Sequence, residues 1–153
     1  QMGESEYFLK AKTFIEEKTA CADALKFLRR GDEIRLWLDN RIECACFYRD
    51  QRAHLEKRPA KKPDVEFSAN AEAIRRLAEI PGDNLATVEI EILKEIVAGN
   101  VKVHLVGPLT HILTHGYISI IKAAGPDFFN FLAQKGVANI QDTLRIIKSL
   151  RKN

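Results

Sequence analysis

The stretch Ile34-Arg35-Leu36-Trp37-Leu38-Asp39-Asn40-Arg41-Ile42-Glu43-Cys44-Ala45-Cys46-Phe47-Tyr48 decides how this chain is read. Ile34, Leu36 and Leu38 alternate with Arg35, Trp37 and Asp39; Ile42, Cys44, Cys46 and Tyr48 alternate with Glu43, Ala45 and Phe47. A period of two marks strands with one buried face, so the stretch predicts a β-hairpin. Its register follows from the pleat. A two-residue turn at Asp39-Asn40 would set Leu36 opposite Glu43 and mix apolar with polar rows. A three-residue turn, Asp39 to Arg41, pairs Leu38 with Ile42, Leu36 with Cys44 and Ile34 with Cys46, leaving one face wholly apolar.

Outward from the hairpin, residues 5 to 30 read as helix, with Phe8, Ala11 and Ile15 on one face and Phe14 beside them. The face resumes at Cys21, Ala24, Leu25 and Leu28, with Thr19 placed to cap a second helix. Arg29, Arg30 and Gly31 end it. After the hairpin, a weaker strand is predicted around His54 and Leu55, then a basic loop over 57–63, then a strand through Val65, Phe67 and Ala69. Asn70 caps a short helix that Pro81-Gly82 closes. Residues 84–98 carry a helical stripe of Leu85, Val88, Ile92 and Ile96. Val101, Val103 and Leu105 alternate as a strand ended by Gly107-Pro108. Helices over 109–123, 127–135 and 139–151 complete the chain. The expected fold class is α+β: a mainly antiparallel sheet of about five strands covered by helices, with extra C-terminal helices.

The composition agrees with such a fold. A chain of 153 residues buries roughly 68–70% of its unfolded surface and holds a core without disulfides or metal. Hydrophobic residues at 46% and charged ones at 29% exclude disorder, collagen-like repeats and a disulfide miniprotein. No apolar run approaches the roughly 20 residues that span a bilayer. Gln1 ahead of Met2 reads as a tag remnant, and the polar start from Gln1 to Tyr7 has no signal-peptide pattern. One domain over residues 3–153 is expected, with 122–153 as a C-terminal helical extension. Three cysteines, an odd number, argue against a secreted disulfide framework, and the expected setting is the reducing cytoplasm.

This order of elements resembles the sterol carrier protein type 2 family. Three blocks carry the resemblance: Asp64-Val65-Glu66-Phe67-Ser68-Ala69-Asn70 with the helix through Leu77; the passage from Val97 through Gly99 and Val101-Lys102-Val103-His104-Leu105 to Gly107; and the helix from Leu109. The hairpin 33–49 fits the family's first two strands, and the likeness covers roughly residues 5–121. Two features depart from the family pattern: a longer stretch over 81–96, and a helical continuation past Ile121 where the family closes its lipid cavity. The resemblance implies an α+β fold holding a sterol, fatty acid, acyl or isoprenoid chain without catalysis. Some bacterial members are accessory proteins of quinone biosynthesis.

Motifs for chemistry are scarce. No nucleophile elbow, dinucleotide fingerprint or phosphate loop occurs. Cys44 and Cys46 lie on the predicted apolar face, where a thiolate is disfavoured, and no second cysteine pair stands at ligand spacing. His111 and His115 have the i, i+4 spacing of metal ligands, but Ile112, Leu113 and Thr114 between them supply no glutamate and no third ligand stands out. They read as flanking the buried stripe Leu109, Ile112, Leu113 and Ile120. Glu89, Glu91 and Glu95 read as a solvated helix face. No catalytic residue, metal or cofactor is expected.

The expected site is therefore a cavity. Its walls are Ile34, Leu36, Leu38, Cys44, Cys46, Val65, Phe67, Val101, Val103 and Ile112, with Phe128 and Phe131 near the mouth. Its occupant is a hydrophobic lipid, whose buried CH₂ groups contribute about 0.8 kcal/mol each. From Arg49 to Lys62 six basic residues face only Asp50 and Glu56. Arg52, Lys57, Arg58, Lys61 and Lys62 are the expected contact with an anionic membrane surface. Nucleic acid is not an expected partner, because the loop has no interleaved aromatics for stacking. The alternative is a protein-interaction module with a core filled by its own side chains and a binding surface such as Trp37/Phe47. A third reading, an enzyme subunit with its catalytic residues elsewhere, ranks last.

Overall fold

The computed structural model describes residues 3–134, 136 and 145. The elements run α1 (Glu4–Glu17), α2 (Thr19–Leu25), β1 (Ile34–Leu38), β2 (Ile42–Arg49), β3 (Arg52–Glu56), β4 (Val65–Ala69), α3 (Ala71–Glu79), α4 (Leu85–Val97), β5 (Val101–Leu105), α5 (Leu109–Thr114), α6 (Tyr117–Ala123) and α7 (Pro126–Gln134). The strands form one sheet in the order β3-β2-β1-β4-β5. All neighbours are antiparallel except β1 and β4, which run parallel. This is the expected α+β architecture. The helix predicted over 139–151 lies outside the described residues.

The hairpin has the register that its alternation requires. Leu38 faces Ile42, Leu36 faces Cys44 and Ile34 faces Cys46. The three-residue turn is reached through left-handed conformations at Asp39 and Asn40 (φ 53° and 56°), which short polar side chains tolerate. The stretch around Leu55 is a fully paired strand at one sheet edge. There α1 covers it: the Leu55 N–H donates to Glu16 Oε2 at 3.0 Å, and Lys12 Nζ donates to the Leu55 carbonyl at 3.0 Å.

Three helix boundaries differ from the sequence reading, and the first is that α2 ends at Leu25, ahead of the expected stop at Arg29-Arg30-Gly31. Thr19 opens α2 without making a cap hydrogen bond; Lys18 occupies the cap position. The helix predicted over 109–123 breaks at Gly116, whose φ is +106° and where a Cβ would overlap the Phe27 carbonyl. That close approach demands glycine. Asn70 caps α3 as expected, its Oδ1 accepting from the Ala73 N–H at 3.0 Å.

The two sheet faces differ in kind. On the inner face, Leu38, Ile42, Cys44 and Leu55 sit at the centre of the main core with Tyr7, Leu25, Leu28 and Ile74. The outer face carries a polar network: Glu66 accepts from Arg35 Nη1 at 3.0 Å and from Trp37 Nε1 at 3.3 Å, and His104 Nδ1 lies 3.6 Å from it. Part of that face is roofed by the basic loop, with Phe47 buried against Ala45 and Ala60. Phe47 is therefore not an open binding surface, contrary to the interaction-module expectation: the Arg58 guanidinium lies over its ring at 5.3 Å.

Candidate functional site

Between the inner sheet face and the helices lies a cavity of about 440 Å³. Volumes of roughly 300–1,000 Å³ are those of small-molecule sites. Its floor is the sheet: Ile34, Leu36, Leu38, Cys46, Val65, Phe67, Val101 and Val103 all line it. Ile112 of α5 and Phe128 of α7 line it as well. Strand alternation places these side chains on one face, and β5 brings Val101 and Val103 beside β4, where Phe67 faces Val103.

Two residues named from the sequence lie elsewhere. Cys44 is fully buried in the main core, because α1 packs over β2 and β3 and fills the space above it. Phe131 is half-buried outside the lining. Three residues along α7 turn it about 60° away from Phe128, and only the Phe128 direction meets the cavity.

The helical walls were largely invisible in the sequence. Phe14 and Ile15 of α1, Cys21 and Ala24 of α2, Leu77 of α3, and Val88, Ile92 and Ile96 of α4 complete the lining. Small residues on α2 (Ala20, Cys21, Ala24) keep that wall back from the sheet. The stripe on α4 was legible; that it faces a cavity rather than a filled core was not.

Glu89 corrects the reading of α4 as solvated on its acidic side. It lines the cavity, and its Oε2 is buried with no hydrogen-bond partner. Burial pushes its carboxyl up to about 8. Glu89 stands four residues after Leu85 and three before Ile92, inside the apolar stripe, and that position was the signal. Glu95 is buried too, but it is held by Arg76 at 2.7 and 2.9 Å and by Asn100 at 3.0 Å. Lys10 is the other charged residue of the lining.

The thiols offer no nucleophile. Burial pushes Cys21 up to about 12 and Cys44 up to about 11, and raises Cys46 further.

Of the five residues assigned to a membrane surface, Arg52, Lys57, Lys61 and Lys62 are exposed. Arg58 is not a free surface charge. Its guanidinium makes paired bonds to Glu33 at 2.7 and 2.8 Å and a third to Glu56 at 2.7 Å. The Lys61 N–H adds another to Glu33 at 2.7 Å. The planar fork of arginine suits this clamp, which pins the basic loop to the start of β1. Among the described residues no helix is long and apolar enough to cross a membrane.

No protein-family model and no curated protein matches the chain. Among solved structures, one described as "UbiJ-SCP2 Ubiquinone synthesis protein" is similar to it at 14% sequence identity, over 79% of this chain and 94% of that one, with a TM-score of 0.44.

Proposed function

We propose that this protein is a non-catalytic lipid-binding protein that holds a hydrophobic chain between its sheet and its helices. The observation that carries the reading is the cavity of about 440 Å³ with a lining almost entirely of apolar side chains. Such a surface binds through area removed from water, which suits a sterol, fatty-acyl or isoprenoid chain. Buried thiols and the absence of a hydrogen-bonded nucleophile–base pair in the lining support a carrier or accessory role over catalysis. The space favours this reading over a module whose core is filled by its own side chains.

Glu89 narrows the ligand further. A carboxyl that retains its proton near neutrality donates a hydrogen bond to an oxygen acceptor, whether hydroxyl, carbonyl or carboxylate, and repels a carboxylate only once it ionises. The proposed head group beside it bears an oxygen acceptor, as in an alcohol, an ester, a quinone or an acid. Native mass spectrometry of the purified protein is expected to show co-purified lipid, and an acyl fluorophore is expected to be displaced by long-chain alcohols and acids near neutrality, the acids losing ground above about pH 8 where Glu89 ionises. A protein that emerges lipid-free and binds no acyl probe overturns the reading.

A further inference from the structure

Independently of the cavity's ligand, we infer that Asp32, Asp64, His111 and His115 form a binding site for a divalent transition-metal ion of the zinc type. The topology assembles the four. Asp32 stands just before β1 and Asp64 just before β4, and these strands run parallel, with Arg35 beside Glu66, so both aspartates reach the same end of the sheet. β5 runs antiparallel to β4 and ends there, with Leu105 facing Val65; the chain then delivers the two histidines. Sequence spacing gave only the histidine pair.

The potential ligand atoms lie close together, at separations near or somewhat below those of a coordination shell, and the His111–Asp64 pair is hydrogen-bonded. His111 Nδ1 lies 3.1 Å from Asp64 Oδ1, and His115 Nδ1 lies 2.9 Å from Asp32 Oδ2 and 3.4 Å from Asp64 Oδ2. Around a tetrahedral zinc ion with bonds of roughly 2.0–2.2 Å, neighbouring donors stand about 3.3–3.6 Å apart. One ligand atom from each of Asp64, His111 and His115 falls within 4.8 Å of the others, so small shifts that widen the closest pairs and draw the rest together close the set.

Two further observations point to a ligand. His115 is only 6% exposed, yet its Nδ1 makes no hydrogen bond, and neither does the facing Asp32 Oδ2. They are close, but neither is aligned to bond the other. A buried ring nitrogen and carboxylate oxygen left without bonds are costly, and a cation satisfies the lone pairs of both. The charge also needs balancing: Asp64 is buried with no lysine or arginine paired to it among the described residues, and Asp32 has only Arg29 at 3.7 Å. The Asp64 carboxylate fits against Gly107, where a Cβ would overlap its Oδ1. His111 is 43% exposed at its side chain and provides the way in. Imidazole with carboxylate is a donor set that zinc accepts.

The test uses tag-free protein stripped with chelator. Titration with Zn²⁺ by calorimetry is expected to show one site per chain, and Co²⁺ to give the absorption bands of low-symmetry four-coordination. His115→Ala and Asp64→Asn are expected to weaken binding at least about 100-fold. His111→Gln, at the exposed position, keeps the fold testable if those two unfold, and is expected to lose at least about tenfold. His104→Ala, outside the cluster, keeps wild-type binding. Absence of stoichiometric binding by the wild type, or wild-type affinity in His111→Gln, overturns the site and leaves a cluster of ion pairs.

Discussion

Single side chains settle how the polar parts of this fold are held. Glu33 is buried and accepts three bonds, two from Arg58 and one from the Lys61 N–H. The Arg58 bonds, foremost, hold its carboxyl below the ordinary value, against the effect of burial. Removing the cation strands a buried carboxylate, so Arg58→Ala is expected to cost about 2–4 kcal/mol in urea denaturation. Arg58→Lys should recover only part, since an ammonium cannot make the paired bonds. A loss indistinguishable from that of a surface arginine would show that the clamp contributes little. Glu89 works in the opposite direction. Its pKa in the fold is raised to about 8 from 4.5, so the fold favours the protonated form. That contribution is full below about pH 4.5 and is lost as pH rises towards 8. Wild type measured against Glu89→Gln should therefore lose relative stability between pH 5 and 8, by a total on the order of 2–4 kcal/mol. A difference that stays flat across that range would place Glu89 in solvent.

At the level of elements, the floor and the lid of the cavity differ in how they bear added volume. Val103 lines the cavity, whereas Cys44 lies in the packed core beneath α1. Val103→Trp is expected to block binding of an acyl fluorophore with little change in melting temperature. Cys44→Trp should overpack and cost roughly 3 kcal/mol or more. Equal destabilisation by both would mean that the space beside Val103 is not free. These elements also show what a sequence discloses. The hairpin register was legible because strand alternation is local and a slip of one residue turns every apolar side chain outward. The stripe on α4 was legible for the same reason. The break at Gly116 was not, because it answers to the Phe27 carbonyl, far away in sequence. Cys44 was misplaced because alternation assigns a face but does not say which helix covers which part of it.

The whole molecule joins segments that no local reading connects. Asp32, Asp64 and the histidine pair meet only because β1 and β4 are parallel neighbours, and the sequence does not specify strand order. The same arrangement leaves Arg52, Lys57, Lys61 and Lys62 exposed beside a loop fixed by Arg58. At about 1 kcal/mol per basic residue near an anionic bilayer, these four should give vesicle binding that fades between 0.1 and 1 M salt. Equal co-sedimentation with neutral and anionic vesicles would remove the idea. The contact of α1 with β3 has a further consequence. An edge strand offers its free amides and carbonyls as a template on which another chain adds a strand. Here Lys12 and Glu16 occupy both groups of Leu55, so a second copy finds that position already taken. Ala at both positions should leave the monomer folded but prone to join edge to edge, visible as rising light scattering with concentration. α1 thus keeps this edge of the sheet from growing into the next copy.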